Sequence, residues 1–329
     1  MMMRGLICTA ALALLGCDVG VDANAGDAPS DSPTIALETP IYTAPDARPD
    51  NTQFIDVLEQ YQALNARLDS VAVRLQRANA ALCPVTVRDV GYTVHSVGDY
   101  PQNLREVARS LLNVSEALSI RTVRKGSTAD TAGLKPGDRL VGINGQRLAA
   151  GMTQKLFYER AARRAFDEKT ASVTTARGEE LRTKTLRPET LCGYPVNVFF
   201  NEGINGHTDG EAVWVTSELM RTVADDVNLS LIVAHEMAHA IAGHMAQEPD
   251  KSLELLADRM ALVMMARAGL DIDRAVAYWD DAVHPHADLQ ERSFTHPSIA
   301  ERRDNLTDMA VRIKKAQADG LDLDFSLSD

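Results

Sequence analysis

Three histidines and a glutamate lie within the otherwise apolar stretch LIVAHEMAHAIAGH, residues 231–244. No proline interrupts residues 229–245, which predicts a helix there. On a helix with about 3.6 residues per turn, His235 and His239 lie one turn apart and point the same way. Two imidazoles on one helix face can bind one metal ion, and Glu236 beside that face can take a proton from a water molecule. The stretch therefore predicts a hydrolytic metal site.

A zinc site of this kind needs a third protein ligand. The metzincin pattern places a histidine six residues after the second histidine, with a glycine midway, but here these positions are Met245 and Ala242. His244 lies about 140° round an ideal helix from His239, so we do not expect it to face the same ion. The metzincin class is therefore excluded, and the third ligand must come from another segment.

The segment SLELLADRMALVMMARAG, residues 252–269, places Glu254 and Asp258 one turn apart on a predicted helix. It resembles the Glu-x-x-Ala-Asp pattern of gluzincins, in which the glutamate completes a His2Glu zinc site. The resemblance makes Glu254 the third ligand and gives Asp258 a supporting role, accepting a hydrogen bond from His235 that fixes the ring tautomer. A solvated acidic pair is the alternative, and the apolar residues around the pair argue against it.

Together these segments resemble the zinc metallopeptidase family that includes HtpX, the CAAX prenyl protease and OMA, and especially its periplasmic lipoprotein branch. The resemblance covers residues 189–310 and implies one Zn²⁺ per chain. THPSIAERR, residues 295–303, is similar to the family's His-Pro segment with its following arginine. This similarity makes His296 a catalytic candidate, as an oxyanion donor or a switchable fourth ligand, with helix capping as the alternative. Arg302 is expected to hold the active-site acids in place.

NGHTDGEAVWVTSELM, residues 205–220, resembles the strand that precedes the active-site helix in this family and lines the substrate cleft. We expect residues 212–216 to form an unblocked edge strand that binds an extended substrate through main-chain hydrogen bonds. The residues of this strand are Ala212, Val213, Trp214, Val215 and Thr216.

Residues 51–84 carry the clearest hydrophobic repeat in the chain, because apolar residues recur at every seventh position. The repeating positions are Phe54, Tyr61, Leu68, Leu75 and Leu82. This pattern predicts a long amphipathic helix. We expect it to pack on the peptidase domain, and a dimeric coiled coil is the alternative.

Glycine-punctuated, strand-like runs follow in RTVRKGSTADTAGLKPGDRLVGINGQRL, residues 121–148. The segment resembles bacterial PDZ domains and implies a PDZ-like domain over residues 85–188, which would take a peptide, often a C-terminus, as an added strand. A β-rich structural insertion is the alternative, since no glycine-hydrophobic carboxylate-binding loop is evident ahead of Leu118. The matching motifs are Gly126-Ser127, Ala129, Ala132-Gly133-Leu134, Gly137-Asp138 and Asn144-Gly145.

The N-terminus combines Arg4 with an apolar run of about 12 residues, shorter than the roughly 20 that a spanning helix needs. It predicts a signal peptide over residues 1–16, and Leu14 to Cys17 resembles a bacterial lipobox in which Cys17 carries lipid. An ordinary secretory signal is the alternative. The acidic, proline-rich residues 17–50 predict a solvated tether. We expect a lipid-anchored periplasmic protein, with Asp18 favouring the inner membrane.

Export places the two cysteines of the folded part, Cys83 and Cys192, in an oxidising compartment. A disulfide between them is expected, with two separate buried thiols as the alternative, because sequence does not fix their separation. The net charge of −12 offers no basic surface for nucleic acid.

These features predict an α+β fold: a mainly helical zincin-like domain with a small β-sheet, over residues 189–329, and an inserted PDZ-like domain. The implied function is that of a zinc metalloendopeptidase of the bacterial cell envelope, hydrolysing unfolded or misfolded proteins with Glu236 as general base. The alternatives are a membrane-tethered peptide-binding or chaperone-like adaptor with a structural zinc site, and an exopeptidase.

Overall fold

The computed structural model describes residues 51–148, 154–279 and 297–328, with side chains described from residue 55 onward. The predicted signal peptide, lipidated Cys17, tether and His296 lie outside these ranges. Within them, no helix is both long enough and apolar enough to cross a membrane.

The described ranges contain nine α-helices and four 3₁₀ turns. The helices are α1 (Asn51–Asn79), α2 (Arg105–Leu112), α3 (Thr128–Thr131), α4 (Gln154–Phe166), α5 (Ser217–Thr222), α6 (Asp226–Ala242), α7 (Lys251–Arg267), α8 (Ile272–Ala277) and α9 (Ile299–Ala318). The 3₁₀ turns are Val97–Asp99, Gln102–Leu104, His244–Ala246 and Phe325–Ser328.

In the same described ranges, eleven strands form three separate sheets. The strands are β1 (Thr86–Asp89), β2 (Tyr92–His95), β3 (Ser119–Val123), β4 (Arg139–Ile143), β5 (Gln146–Arg147), β6 (Ala171–Arg177), β7 (Glu180–Leu186), β8 (Glu189–Cys192), β9 (Val196–Phe199), β10 (Gly206–Thr208) and β11 (Val213–Thr216). The largest sheet has the order β2-β3-β4-β6-β7, with β5 paired to β4. Because helices are combined with sheets whose strands pair mostly antiparallel, the predicted α+β class is confirmed.

The six-stranded sheet forms a unit of its own between α1 and β8. Helix α4 contributes buried residues to a core that is separate from the core of the helical unit. They include Tyr158, Ala161, Ala162 and Ala165. The strand side of this core is made of buried aliphatic residues from β3, β4, β6 and β7. They include Ile120, Leu140, Ile143, Val173 and Leu186.

Helix α1 packs along the helical unit rather than projecting from it. Leu68 and Leu75 are 1% and 0% exposed and belong to the same core as α6 and α7. The helix ends at Asn79, earlier than the repeat suggests. Pro84 disfavours helical geometry at Cys83, and a turn from Leu82 N to Asn79 O closes the helix instead.

A two-stranded antiparallel ribbon of β1 and β8 forms the neck of the inserted unit. The Cys83–Cys192 disulfide closes this neck, with the two Cα atoms 5.5 Å apart. That separation lies within the usual range for a disulfide. The two ends of the insertion are therefore held together covalently.

Reduction of this bond is expected to lower the free energy of unfolding by about 2–5 kcal/mol, because the bond closes a long loop in the unfolded chain. The cysteines are separated by 109 positions. Urea unfolding of the wild type with and without a phosphine reductant measures the effect, and a Cys83→Ser, Cys192→Ser variant is the control that should not respond. Equal unfolding midpoints for wild type and variant without reductant would contradict this prediction.

The third sheet lies against α6 and has the order β10-β11-β9. The expectation that residues 212–216 form an edge strand is wrong. Strand β11 pairs antiparallel with β10 on one side and parallel with β9 on the other, so its main-chain groups are already used. The edge strand on the side of α6 is β10.

Candidate metal centre

Helix α6 carries the HExxH residues and is defined by a cap at each end. The Asp225 side chain accepts hydrogen bonds from Val227 N and Asn228 N at 2.8 and 3.1 Å. At the other end Gly243 adopts a left-handed φ of 67°, which ends the helix at Ala242. The helix is therefore shorter at its C-terminus than the run to Met245 predicts.

Helix α7 supplies the acidic residues and packs closely on α6. Asp250 caps it by accepting a hydrogen bond from Ser252 N at 2.7 Å. Glu254 and Asp258 lie one turn apart on the side facing α6, and the neighbouring Ala257 and Ala261 are fully buried. The two predicted acids are therefore brought to the two histidines by helix packing.

His235, His239 and Glu254 converge on one point. His235 Nε2 lies 3.3 Å from Glu254 Oε2, His239 Nε2 lies 3.4 Å from Glu254 Oε1, and the two Nε2 atoms are 3.1 Å apart. Bonds of about 2.0–2.1 Å at tetrahedral angles would place zinc ligands roughly 3.3–3.4 Å from one another. The three side chains are only 10%, 11% and 16% exposed. Geometry and donor set both fit zinc.

The buried Asp258 contacts the His235 ring at Nδ1, the nitrogen that faces away from the other ligands. Its Nδ1 lies 2.9 Å from Asp258 Oδ1, and Asp258 is fully buried. Arg302 donates from Nε to Asp258 Oδ2 at 2.8 Å and from Nη2 to Oδ1. Its guanidinium stacks 3.9 Å above the ring of Trp279. The structure thus places Arg302 where it neutralises Asp258, which in turn orients His235.

The acids and rings of this site shift one another's ionisation. Burial, and then Arg302, would lower the pKa of His235, but hydrogen bonds to Asp258 and Glu254 raise it to about 9. Burial would raise the pKa of Glu254, but its hydrogen bonds to His235 and His239 hold that pKa far below its usual range. His235 therefore lies against two carboxylates, Glu254 and Asp258, an arrangement that suits the binding of a cation.

Glu236 lies beside the three converging ligands and is not one of them. Its side chain runs along β10, since a Cβ built on Gly206 would lie 3.6 Å from Glu236 Cγ. It is partly exposed, whereas His235 is buried. The Glu236 side chain is therefore partly accessible to solvent beside the start of β10.

His244 occupies a position that helix geometry did not predict. It follows Gly243 in a 3₁₀ turn, is 5% exposed, and places Nδ1 3.0 Å from Nδ1 of His239. Burial, and then the neighbouring His239, lower the pKa of His244. Among the described residues, His244 is not one of the three that converge, but its ring contacts Nδ1 of one of them, His239. The left-handed glycine was the signal in the sequence that could have indicated this turn.

Two segments match models of known protein families. Residues 119–158 match the PDZ domain model, and residues 178–249 match the model of peptidase family M48. Among curated proteins, mitochondrial metalloendopeptidase OMA1 from Bos taurus is 26% identical over 157 residues. That alignment covers 31% of this chain and 30% of the relative, so the chain spans less than a third of the relative's length.

Solved structures similar to part of this chain include a PDZ domain and an HtrA-type protease. The HtrA3 PDZ domain bound to a phage-derived ligand is 21% identical, with a TM-score of 0.25, over 33% of this chain and 93% of that one. The HtrA-type protease AlgW with a decapeptide is 21% identical, with a TM-score of 0.24, over 32% of this chain and 30% of that one.

The two family models match parts of the two units. The M48 match contains the HExxH residues of α6, and the PDZ match lies in the six-stranded unit. The predicted resemblance to a zinc metallopeptidase with a PDZ-like domain is therefore confirmed. The chain thus contains a segment similar to PDZ domains and a segment similar to the metallopeptidases of family M48.

Proposed function

We propose that this protein is a zinc-dependent endopeptidase that cleaves extended polypeptide segments. The observation that carries the proposal is the convergence of His235, His239 and Glu254 at zinc-ligand distances, with Glu236 alongside. A zinc site that serves only structure is usually closed by four protein ligands and has no need of a neighbouring base. The M48 match supports the same class of reaction.

The positions of the side chains indicate the catalytic role of each residue. Zinc, when bound by His235, His239 and Glu254, supplies a Lewis acid for the scissile carbonyl. Glu236 takes the proton from the attacking water and delivers it to the leaving amine. Asp258, paired with Arg302, keeps His235 in the tautomer whose Nε2 lone pair faces the metal.

Strand β10 is the proposed docking site for substrate. It pairs with β11 on one side, and its other main-chain edge is the outer edge of this sheet. A peptide added there in extended form would pass Glu236, because Gly206 at the start of β10 lies against that side chain. Folded proteins rarely offer such a segment, which favours unfolded polypeptide as substrate.

Replacing Gly206 with Val is expected to lower kcat/KM by about 10–100-fold with zinc binding retained. A Cβ at this position would lie 3.1 Å from Ile232 Cγ2 and 3.6 Å from Glu236 Cγ, so the added methyl groups of valine would crowd Ile232 and shift the neighbouring base. Cleavage kinetics on a fluorogenic peptide measure the effect. The kcat/KM of Gly206→Ala should fall between those of the wild type and Gly206→Val. A Gly206→Val variant as active as the wild type would show that the contact between β10 and Glu236 does not affect catalysis.

The PDZ domain is the proposed site for a second peptide contact, with a C-terminus as its ligand. Strand β2 is the edge strand of the six-stranded sheet and pairs with β3 alone among the described strands. Helix α4 lies beside it, where Tyr158 donates a hydrogen bond to Tyr92 at 2.9 Å. An exposed edge next to a helix suits peptide binding by strand addition.

The cell envelope is the proposed location, with unfolded or misfolded envelope proteins as substrates. The signal-like N-terminus and the lipobox-like Cys17 support it, and the disulfide at the neck suits an oxidising compartment. Labelling with a radioactive fatty acid, compared between wild type and Cys17→Ser, tests the lipid anchor. Equal labelling would contradict anchoring through this cysteine.

Removal and return of the metal test the enzymatic proposal directly. The zinc-loaded protein is expected to cleave unfolded casein and end-blocked internal peptides, to lose this activity on dialysis against a chelator, and to regain it with one equivalent of zinc. Cleavage of unblocked peptides alone would indicate an exopeptidase. A protein that binds zinc and cuts neither substrate would instead favour the peptide-binding adaptor.

A further inference from the structure

The ring of His239 is engaged on both of its nitrogens. Nε2 faces Glu254 and His235, whereas Nδ1 lies 3.0 Å from Nδ1 of His244. A neutral imidazole has one nitrogen that donates and one that accepts, so in this pair one Nδ1 donates and the other accepts. A metal on Nε2 of His239 needs the lone pair there, which puts the ring proton on Nδ1. His244 must then be the acceptor.

We propose that His244 is a positioning residue for the zinc ligand His239, with the same role that Asp258 has for His235. The inference rests on the zinc site of the proposed function, but it does not depend on which substrate is cleaved. His244 fixes the tautomer of His239 and the rotation of its ring, so that Nε2 stays directed at the metal. It is not itself a ligand.

The backbone builds this contact through Gly243. A continued helix would carry residue 244 about 140° away from His239. Instead Gly243 turns left-handed, with φ of 67°, and the chain folds back into a 3₁₀ turn. The two rings then meet edge to face, with centroids 4.9 Å apart and planes at 78°. His244 is 5% exposed, so little water competes for the hydrogen bond.

The two zinc-binding rings therefore have unlike supports. His235 donates to Asp258, a carboxylate whose charge Arg302 balances. His239 donates to an imidazole that forms no ion pair within the described part of the chain. Loss of such a support typically weakens metal binding by about 10–100-fold. We expect zinc affinity to fall by this factor when the accepting nitrogen of His244 is removed.

Two substitutions separate hydrogen bonding from packing. His244→Phe keeps a buried aromatic ring but removes the acceptor, and it is expected to weaken zinc affinity by about 10–100-fold. His244→Asn places an oxygen as many bonds from Cα as Nδ1 was, and it is expected to keep the affinity of the wild type. Competition with a chromophoric zinc chelator at fixed pH measures the dissociation constants on the full chain.

His95→Phe is the matched control, since His95 is also a buried histidine, 3% exposed, with its Nδ1 2.6 Å from a tyrosine hydroxyl in the PDZ unit. It should leave zinc affinity unchanged. Thermal unfolding of each variant without zinc shows whether it folds, and the cobalt-substituted absorption spectrum reports the ligand geometry independently of affinity.

Two results would overturn the inference. A His244→Phe variant that binds zinc as tightly as the wild type would show that no acceptor is needed. Equal losses in His244→Phe and His244→Asn would assign the effect to ring packing alone. Failure of the wild type to cleave peptides, with the zinc affinities in the expected order, would contradict the peptidase proposal and leave this inference standing.

Discussion

Replacing Glu236 with Gln is expected to lower kcat for peptide cleavage by about 10²–10⁴-fold, while the variant still binds one zinc per chain. The amide cannot take a proton from water, yet it fills nearly the same space beside β10. Glu236 is not among the three converging ligands, so metal content should be unaffected. Zinc content by atomic absorption and single-turnover cleavage of a fluorogenic peptide measure the two properties on one sample.

Glu59→Gln provides the control for this experiment, because Glu59 is an exposed glutamate on α1, away from the metal centre. It should match the wild type in both zinc content and rate. A Glu236→Gln variant that cleaves at the wild-type rate would rule out Glu236 as the base. If zinc were lost instead, the carboxylate would have to be a ligand, contrary to the geometry.

Replacing Arg302 with Met is expected to lower the free energy of unfolding by about 3–5 kcal/mol. Asp258 is fully buried, and its bidentate partner is the Arg302 guanidinium. Without that partner an uncompensated carboxylate would remain in the core beside His235. Urea unfolding of the zinc-free protein measures the change, and Arg303→Met on the same helix is the matched control, since its side chain is 38% exposed.

A double variant separates the buried charge from the packing of Arg302 on Trp279. Arg302→Met combined with Asp258→Leu removes both charges, so it should recover much of the lost stability while binding zinc less tightly. If the single and double variants were equally destabilised, the loss would come from the missing stacking on Trp279.

Helical spacing was enough to find most of the metal centre. His235 and His239 share one face of α6 because they are four residues apart, and the same spacing on α7 aligns Glu254 with Asp258. That the two helices lie against each other was implied by the family pattern, not by periodicity. The structure brings all four side chains together at the expected distances.

Features that depend on long-range pairing or on one backbone angle were harder to predict. Strand β11 has the apolar composition of a strand, but nothing local says that β9 and β10 lie on its two sides. His244 was placed by assuming that the helix continues, whereas Gly243 ends it. In both cases the local sequence was interpreted correctly as strand or helix, and the error lay in where that element stops or what it pairs with.

A crystal structure of the zinc-loaded Glu236→Gln variant, with anomalous data at the zinc edge, would test the proposed zinc site most directly. We expect one zinc per chain, bound by Nε2 of His235, Nε2 of His239 and a carboxylate oxygen of Glu254 at about 2.0–2.2 Å. An anomalous peak elsewhere, or Glu254 turned away from both histidines, would contradict it.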